Sequence, residues 1–194
     1  MNNIFKSIKV IFITSVLLVF LLSFTIEVDV SSLELRNDVT YLRGAKQPFS
    51  GIAIMKYSDG SVFMKTSYKD GLISGVENVY YQDGKIQTVS EYSEGKYQGL
   101  LKHYYDNGQV KSEEMYVADY KFGISKYWFI NGQLKMQGEY KDCKEEGEWS
   151  EFFLNGKLKS IGNYRNAVKV GKWNYYNERG ELIKKENYRI LVDF

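Results

Sequence analysis

Glycine recurs every 24 residues in this 194-residue chain, from residue 51 onward and without an insertion. One glycine series marks the start of each unit: Gly51, Gly75, Gly99, Gly123, Gly147 and Gly171. A second series follows in the same register: Gly60, Gly84, Gly108, Gly132, Gly156 and Gly180. A tyrosine closes each unit: Tyr68, Tyr92, Tyr116, Tyr140, Tyr164 and Tyr188. The chain is therefore predicted to repeat one small structural unit six times.

Each unit reads as strand, tight turn, strand and looser turn. The stretch HYYDNGQVKSEEMY contains an aromatic run, then Asn107-Gly108, then alternating residues that end on another aromatic. Asn-Gly between strand-like runs predicts a hairpin with a type I′ turn, because both residues tolerate positive φ. The looser connections have Gly71 and Gly95 at one position in the first two cases, and Asp119, Cys143 and Ala167 there in the later ones. The later connections are therefore predicted to adopt another turn geometry, because side chains disfavour the left-handed conformation.

The predicted fold class is all-β. A lone hairpin is marginally stable because it cannot bury its apolar face, so neighbouring hairpins are expected to pair side by side. This gives an elongated, single, twisted antiparallel sheet of six tandem hairpins, preceded by an N-terminal hydrophobic helix. The predicted units are 51–74, 75–98, 99–122, 123–146, 147–170 and 171–194.

The first 26 residues are predicted to target the chain rather than to join the sheet. Lys6 and Lys9 precede a 17-residue apolar run that ends at Ile26, and acidic residues follow it. This charge order predicts that the remainder is exported. Residues 1–26 are either a cleaved signal peptide of a secreted or periplasmic protein, or an inner-membrane anchor of a domain outside the cytoplasm. Residues 27–50 are predicted to be a leading segment with an N-terminal capping strand.

No residue set in the sequence points to a reaction. The net charge is +2 with acids and bases interleaved, so the basic stripe of a nucleic-acid-binding protein is missing. Cys143 is the single cysteine and His103 the single histidine, and they fall in different units, which argues against a Cys–His dyad. The acidic pair Glu113-Glu114 is interpreted as solvated surface. No catalytic, metal-binding or cofactor-binding residue is assigned, no cofactor is expected, and no enzyme activity is predicted.

The last two units carry the most complete form of the repeat, GEWSEFFLNGKLKSIGNY from Gly147 and GKWNYYNERGELIKKENY from Gly171. They resemble the bacterial variant of the MORN repeat, a G-x-W-x-x-Y-Y-x-N-G-x-L unit that ends in tyrosine. The resemblance implies hairpin repeats and an association with protein scaffolding and phospholipid contact. Bacterial proteins of this type are commonly described as YwqK-family antitoxins. Earlier units depart from the pattern at the tryptophan position, which holds Ala53, Glu77, Leu101 and Ser125.

The aromatic residues supply the predicted binding surface. A single sheet has two faces and few ways to cover both, so some rings should stay partly exposed, as at many interaction sites. The candidates are Tyr80, Tyr104, Trp128, Phe152, Tyr176, Trp149 and Trp173. The predicted function is a non-enzymatic module of the cell envelope that scaffolds another protein, with an antitoxin-like role as one form of it. The alternative is a cell-wall or carbohydrate-binding repeat protein.

The sequence also predicts which classes of partner this chain binds. The main partner is another protein of unknown identity. The membrane is a second partner if the N-terminal segment is uncleaved, and nucleic acid is not expected. Self-association through open sheet edges is the remaining mode, because an unpaired strand presents free backbone donors and acceptors.

Overall fold

The computed structural model describes residues 25–189, and these are all-β apart from a short 3-10 helix at Val30–Ser32. The predicted all-β fold is confirmed. The strands are β1 Glu27–Asp29, β2 Leu33–Arg36, β3 Val39–Leu42, β4 Gly51–Lys56, β5 Val62–Lys69, β6 Leu72–Tyr80, β7 Ile86–Ser93, β8 Lys96–Tyr104, β9 Val110–Val117, β10 Tyr120–Lys121, β11 Gly123–Trp128, β12 Leu134–Lys141, β13 Lys144–Phe152, β14 Leu158–Arg165, β15 Val168–Tyr176 and β16 Leu182–Tyr188.

Fourteen strands form one sheet in the order β1-β4-β5-β6-β7-β8-β9-β11-β12-β13-β14-β15-β16, with β10 paired to β9. Six hairpins therefore follow one another in chain order, as the repeat predicts, and we call them units one to six. Within this row every pairing is antiparallel except the first, since β1 runs parallel to β4. The sheet is thus mixed at its first edge rather than purely antiparallel.

The Asn-Gly turns differ from the predicted type I′ geometry. Gly108 has a φ of 84°, whereas Asn107 is not among the positive-φ residues. The amide of Gly108 donates to the carbonyl of Tyr105 at 2.9 Å, as in a type I turn followed by a left-handed glycine. Tyr104 pairs with Val110, so the loop is too long for a two-residue turn. Asn107 is favoured because its Oδ1 accepts the Gln109 amide at 3.0 Å.

The type I′ turns lie instead in the connections between units, where the predicted change of geometry is wrong. Both central residues have positive φ in every case: Asp70-Gly71, Glu94-Gly95, Ala118-Asp119, Asp142-Cys143 and Asn166-Ala167. Lys141 pairs directly with Lys144, which leaves two residues for the turn. A two-residue loop favours type I′ or II′, and positive φ at both positions identifies type I′ here. Cys143, at a φ of 63°, is therefore held in a left-handed conformation that a side chain disfavours.

The leading segment adds the first strand of the sheet. β1 pairs with β4, while β2 and β3 form a separate two-stranded sheet. Buried Leu33, Phe49 and Ala53 pack together, with Val28 and Tyr68 against them. One small cluster of buried hydrophobic residues therefore lies at this end of the sheet.

The predicted signal peptide or anchor, residues 1–26, lies outside the described residues except for its last two. Within residues 25–189, no helix has the length and apolar character needed to cross a bilayer.

Candidate interaction surface

An apolar stripe follows the turn ends of the hairpins on one face of the sheet. Five of the predicted binding residues lie in it, each half-buried at the end of the first strand of a unit: Tyr80, Tyr104, Trp128, Phe152 and Tyr176. Each pairs across its hairpin with an aliphatic residue: Ile86, Val110, Leu134, Leu158 and Leu182. We call these ten residues the turn-end stripe. Since all ten are half-buried or exposed, a partner can reach the whole stripe.

Tyrosine hydroxyls join the first units to one another along the stripe. Tyr57 donates to the carbonyl of Tyr80 at 2.7 Å, and Tyr81 donates to that of Tyr104 at 2.7 Å. Tyr105 donates in the same way to Trp128 at 2.8 Å. Each bond links one unit to the next, so the backbone that carries the stripe is held in place here.

Units four and five differ from the others at their turns. The tyrosine position holds Phe129 and Phe153, which have no hydroxyl to donate. The next residue is apolar and exposed, with 53% exposure for Ile130 and 57% for Leu154. Polar residues occupy this position elsewhere: Ser58, Gln82, Asp106 and Glu178. In these two units the hairpin tip therefore adds an exposed aliphatic residue to the stripe, two residues after Trp128 or Phe152 in the chain.

The structure separates the other two predicted binding residues, Trp149 and Trp173, from this surface. They are 4% and 3% exposed. The Trp149 indole lies over Gly138 in the preceding unit, and its N–H donates to the carbonyl of Glu139 at 3.2 Å. Trp173 lies over Gly162 in the same way. Both rings are part of the packing between units, and a ligand cannot reach them while that packing is intact.

Residues at the tryptophan position face residues of complementary size in the preceding unit. Gly138 and Gly162 accommodate the two indoles. Where the position holds Glu77, the facing residue is Thr66, whose hydroxyl donates to the Glu77 carboxylate at 2.8 Å. The sequence contained a signal for this, since Gly138 and Gly162 stand outside both glycine series and each precedes a tryptophan by the same interval.

A buried charged cluster lies between units three and four, and sequence reasoning missed it. Glu114 is 8% exposed, so its interpretation as solvated surface is wrong. Lys121 Nζ lies 2.9 Å from Glu114 Oε2, donates to Tyr127 Oη at 3.0 Å and stands 4.4 Å from the centre of the Tyr140 ring. Lys121 lies in the connection after Glu114, so its contacts with Tyr127 and Tyr140 link unit three to unit four.

Mutual contacts fix the protonation states within this cluster. Burial raises the pKa of Glu114, but hydrogen bonds from Lys121, Tyr127 and Tyr116 outweigh it, and the net pKa lies below the ordinary value. Burial is the main cause that raises the pKa of Tyr127 and of Tyr140. Glu114 is thus a carboxylate held by a cation and by neutral phenols. Because these groups satisfy one another, the cluster stabilises the unit boundary rather than offering a reactive acid or base.

His103 and Cys143 lie in different environments. His103 is half-buried on β8, its Nδ1 lies 3.0 Å from the Thr88 hydroxyl, and burial lowers its pKa. Cys143 is exposed in the β12–β13 turn, where its Sγ accepts the Lys121 amide at 3.2 Å. Within residues 25–189, no group of three or more His, Cys, Asp or Glu side chains is placed to hold a metal ion.

Six paired hairpins that share one sheet define a tandem β-hairpin repeat protein. Residues 97–118, 123–142 and 145–166 match the family model described as MORN repeat variant, and these stretches fall on units three, four and five. These three units therefore match the MORN repeat variant, and the sequence resemblance is confirmed for them. MORN repeats typically form non-catalytic interaction modules. A comparison with curated proteins finds no match.

Proposed function

We propose that this chain is a non-enzymatic scaffold of the cell envelope that docks a partner protein on the turn-end stripe of units four and five. One observation carries the proposal. Ile130 and Leu154 expose apolar side chains at the tips of adjacent hairpins, and each follows the half-buried Trp128 or Phe152 by two residues. Exposed aliphatic and aromatic groups that a regular sheet holds in fixed positions are typical of protein docking surfaces.

An antitoxin-like role is one form of this proposal. The charge order around Lys6 and Lys9 favours export, so the bound protein would act outside the cytoplasm. A flat stripe without a deep pocket suits a macromolecule better than a small substrate. The carbohydrate-binding alternative loses its main support, because Trp149 and Trp173 are buried and cannot stack on a sugar.

The test is a crosslinking pull-down of the full-length chain from intact envelopes. The double variant Ile130→Asp, Leu154→Asp adds two charges to the proposed surface. Asp106 already occupies this turn position in unit three, so the substitution is compatible with the turn. The wild-type chain should recover one specific protein, and the double variant should lose most of it while its circular dichroism spectrum stays unchanged.

The matched control is Ser58→Asp, Gln82→Asp, which adds the same charges at the same turn position in units one and two. This control should recover the partner as the wild type does. If both double variants recover it equally well, units four and five do not form the docking surface. Enrichment of glycan alone would support the carbohydrate alternative instead.

A further inference from the structure

The last strand of the sheet offers a free edge. Among residues 25–189, β16 pairs on one side only, with β15. The opposite end of the sheet is the three-residue β1, which within this range also pairs on one side only, with β4. β16 has seven residues, so its pairing with β16 of a second copy forms a longer strand pair than head-to-tail pairing of β16 with β1.

The repeat shows which backbone groups of β16 point outward. Asn187 corresponds to Met115 of unit three, whose carbonyl accepts the amide of Phe122 from the next unit at 2.9 Å. Asn187 therefore directs its backbone groups toward the free edge. Because alternate residues of a strand share a direction, Lys185 and Ile183 do the same.

The sequence of β16 is self-complementary in one antiparallel register. With Lys185 at the centre, Lys184 stands opposite Glu186 of the second copy, and Leu182 stands opposite its Tyr188. Symmetry repeats both pairs, so the register contains two opposite-charge pairs and two apolar pairs. Leu182 is 44% exposed in the single chain and gains cover in the pair.

We propose that two copies of this chain associate through β16 about a twofold axis at Lys185, which continues the sheet from one copy into the other. In this register Lys185 lies directly opposite Lys185 of the second copy, and like charges in that position weaken a strand pair. A single strand pair is also small beside the ~1,600 Å² of a standard protein interface. The dimer is therefore weak and concentration-dependent.

Two substitutions at Lys185 test the register by sedimentation of the full-length chain in mild detergent. Lys185→Thr removes the like-charge contact and should tighten the dimer by up to about fivefold. Lys185→Pro removes an amide that faces the free edge, a position where an edge strand tolerates proline, so the monomer should keep its fold while the dimer is lost. Equal sedimentation of all three proteins at every concentration would overturn the proposal.

A cysteine crosslink gives a second readout that does not depend on how proline is tolerated. Paired Cα atoms in the proposed register are about 5.5 Å apart, within the range of a disulfide. Lys185→Cys in a Cys143→Ser background should form a disulfide-linked homodimer under mild oxidation. The control Lys172→Cys, on the interior strand β15, should not. Equal crosslinking at both positions, or a crosslink from residue 185 only to a different protein, would contradict the twofold pairing.

Discussion

Gly138→Ala tests the packing between units most directly. A Cβ at this position would meet the ring atoms Cγ, Cδ2 and Cε2 of Trp149, so the indole must move. The indole donates a hydrogen bond to Glu139 and makes edge-to-face contacts with Tyr140 at 5.1 Å and Tyr164 at 6.0 Å. All of these contacts depend on the position that the missing Cβ leaves free.

The size of the effect follows from those contacts. The hydrogen bond contributes about 1 kcal/mol. Each aromatic contact contributes about 0.5–1.5 kcal/mol beyond burial. Gly138 does not have positive φ, so alanine adds no backbone strain and reduces the entropy of the unfolded chain by about 0.4–1 kcal/mol. We expect the free energy of unfolding to fall by about 1–3.5 kcal/mol, whereas Trp149→Ala should lower it by ~3–5 kcal/mol.

Urea unfolding followed by circular dichroism measures this loss, and Ser90→Ala is the matched control. Ser90 occupies the same place in unit two, is buried and already has a Cβ, so its replacement should cost less than about 1 kcal/mol. Once Trp149→Ala has removed the indole, Gly138→Ala should cost nothing further. Additive costs in the double variant, or a Gly138→Ala chain as stable as the wild type, would refute the reasoning.

Three other substitutions test single contacts. Tyr81→Phe removes the hydroxyl that bonds the Tyr104 carbonyl and should lower the free energy of unfolding by about 1 kcal/mol, measured in urea. Glu114→Gln weakens the contact with Lys121 and should cost about 2 kcal/mol at neutral pH. Because the pKa of Glu114 is lower in the folded chain than in the unfolded chain, its carboxylate stabilises the fold at a pH above the unfolded pKa. This stabilisation is lost as the pH falls through the folded pKa. The difference in unfolding free energy between the wild type and Glu114→Gln should therefore shrink at acid pH. Cys143→Gly removes the side chain from a left-handed position and so relieves backbone strain, which should raise the thermal midpoint of unfolding. Cys143→Ala keeps a Cβ there and should not raise it.

The 24-residue spacing predicted the sheet well, because neighbouring hairpins keep one strand register only if every unit has the same length. It did not predict which of the two turns is the tight one. Asn107-Gly108 has the residues of a type I′ turn, but Tyr104 pairs with Val110 and the loop is longer. Cysteine is not favoured in a type I′ turn, yet Cys143 adopts that geometry because only two residues separate the paired Lys141 and Lys144. Loop length set by register therefore outweighed local residue preference.

The candidate surface was predicted in part for a related reason. The two faces of a single sheet predict that some rings stay exposed, and Trp149 and Trp173 are among the candidates named on that ground. Their burial depends on Gly138 and Gly162 in the preceding units, and such contacts appear only when one unit is compared with its neighbour. Glu114 was misjudged likewise, because its partner Lys121 belongs to the connection that leads into the next unit.

The two kinds of contact between units are distributed unevenly along the sheet, and this bears on where a partner can dock. Tyr57, Tyr81 and Tyr105 join the early units at their turn ends, and this position holds phenylalanine in units four and five. In the later units the buried indoles of Trp149 and Trp173 supply the packing instead. Trp128 in unit four still accepts the bond from Tyr105, but Phe129 and Phe153 donate no such bond to the next unit. Apolar side chains can occupy those tips because the indoles hold the neighbouring hairpins together.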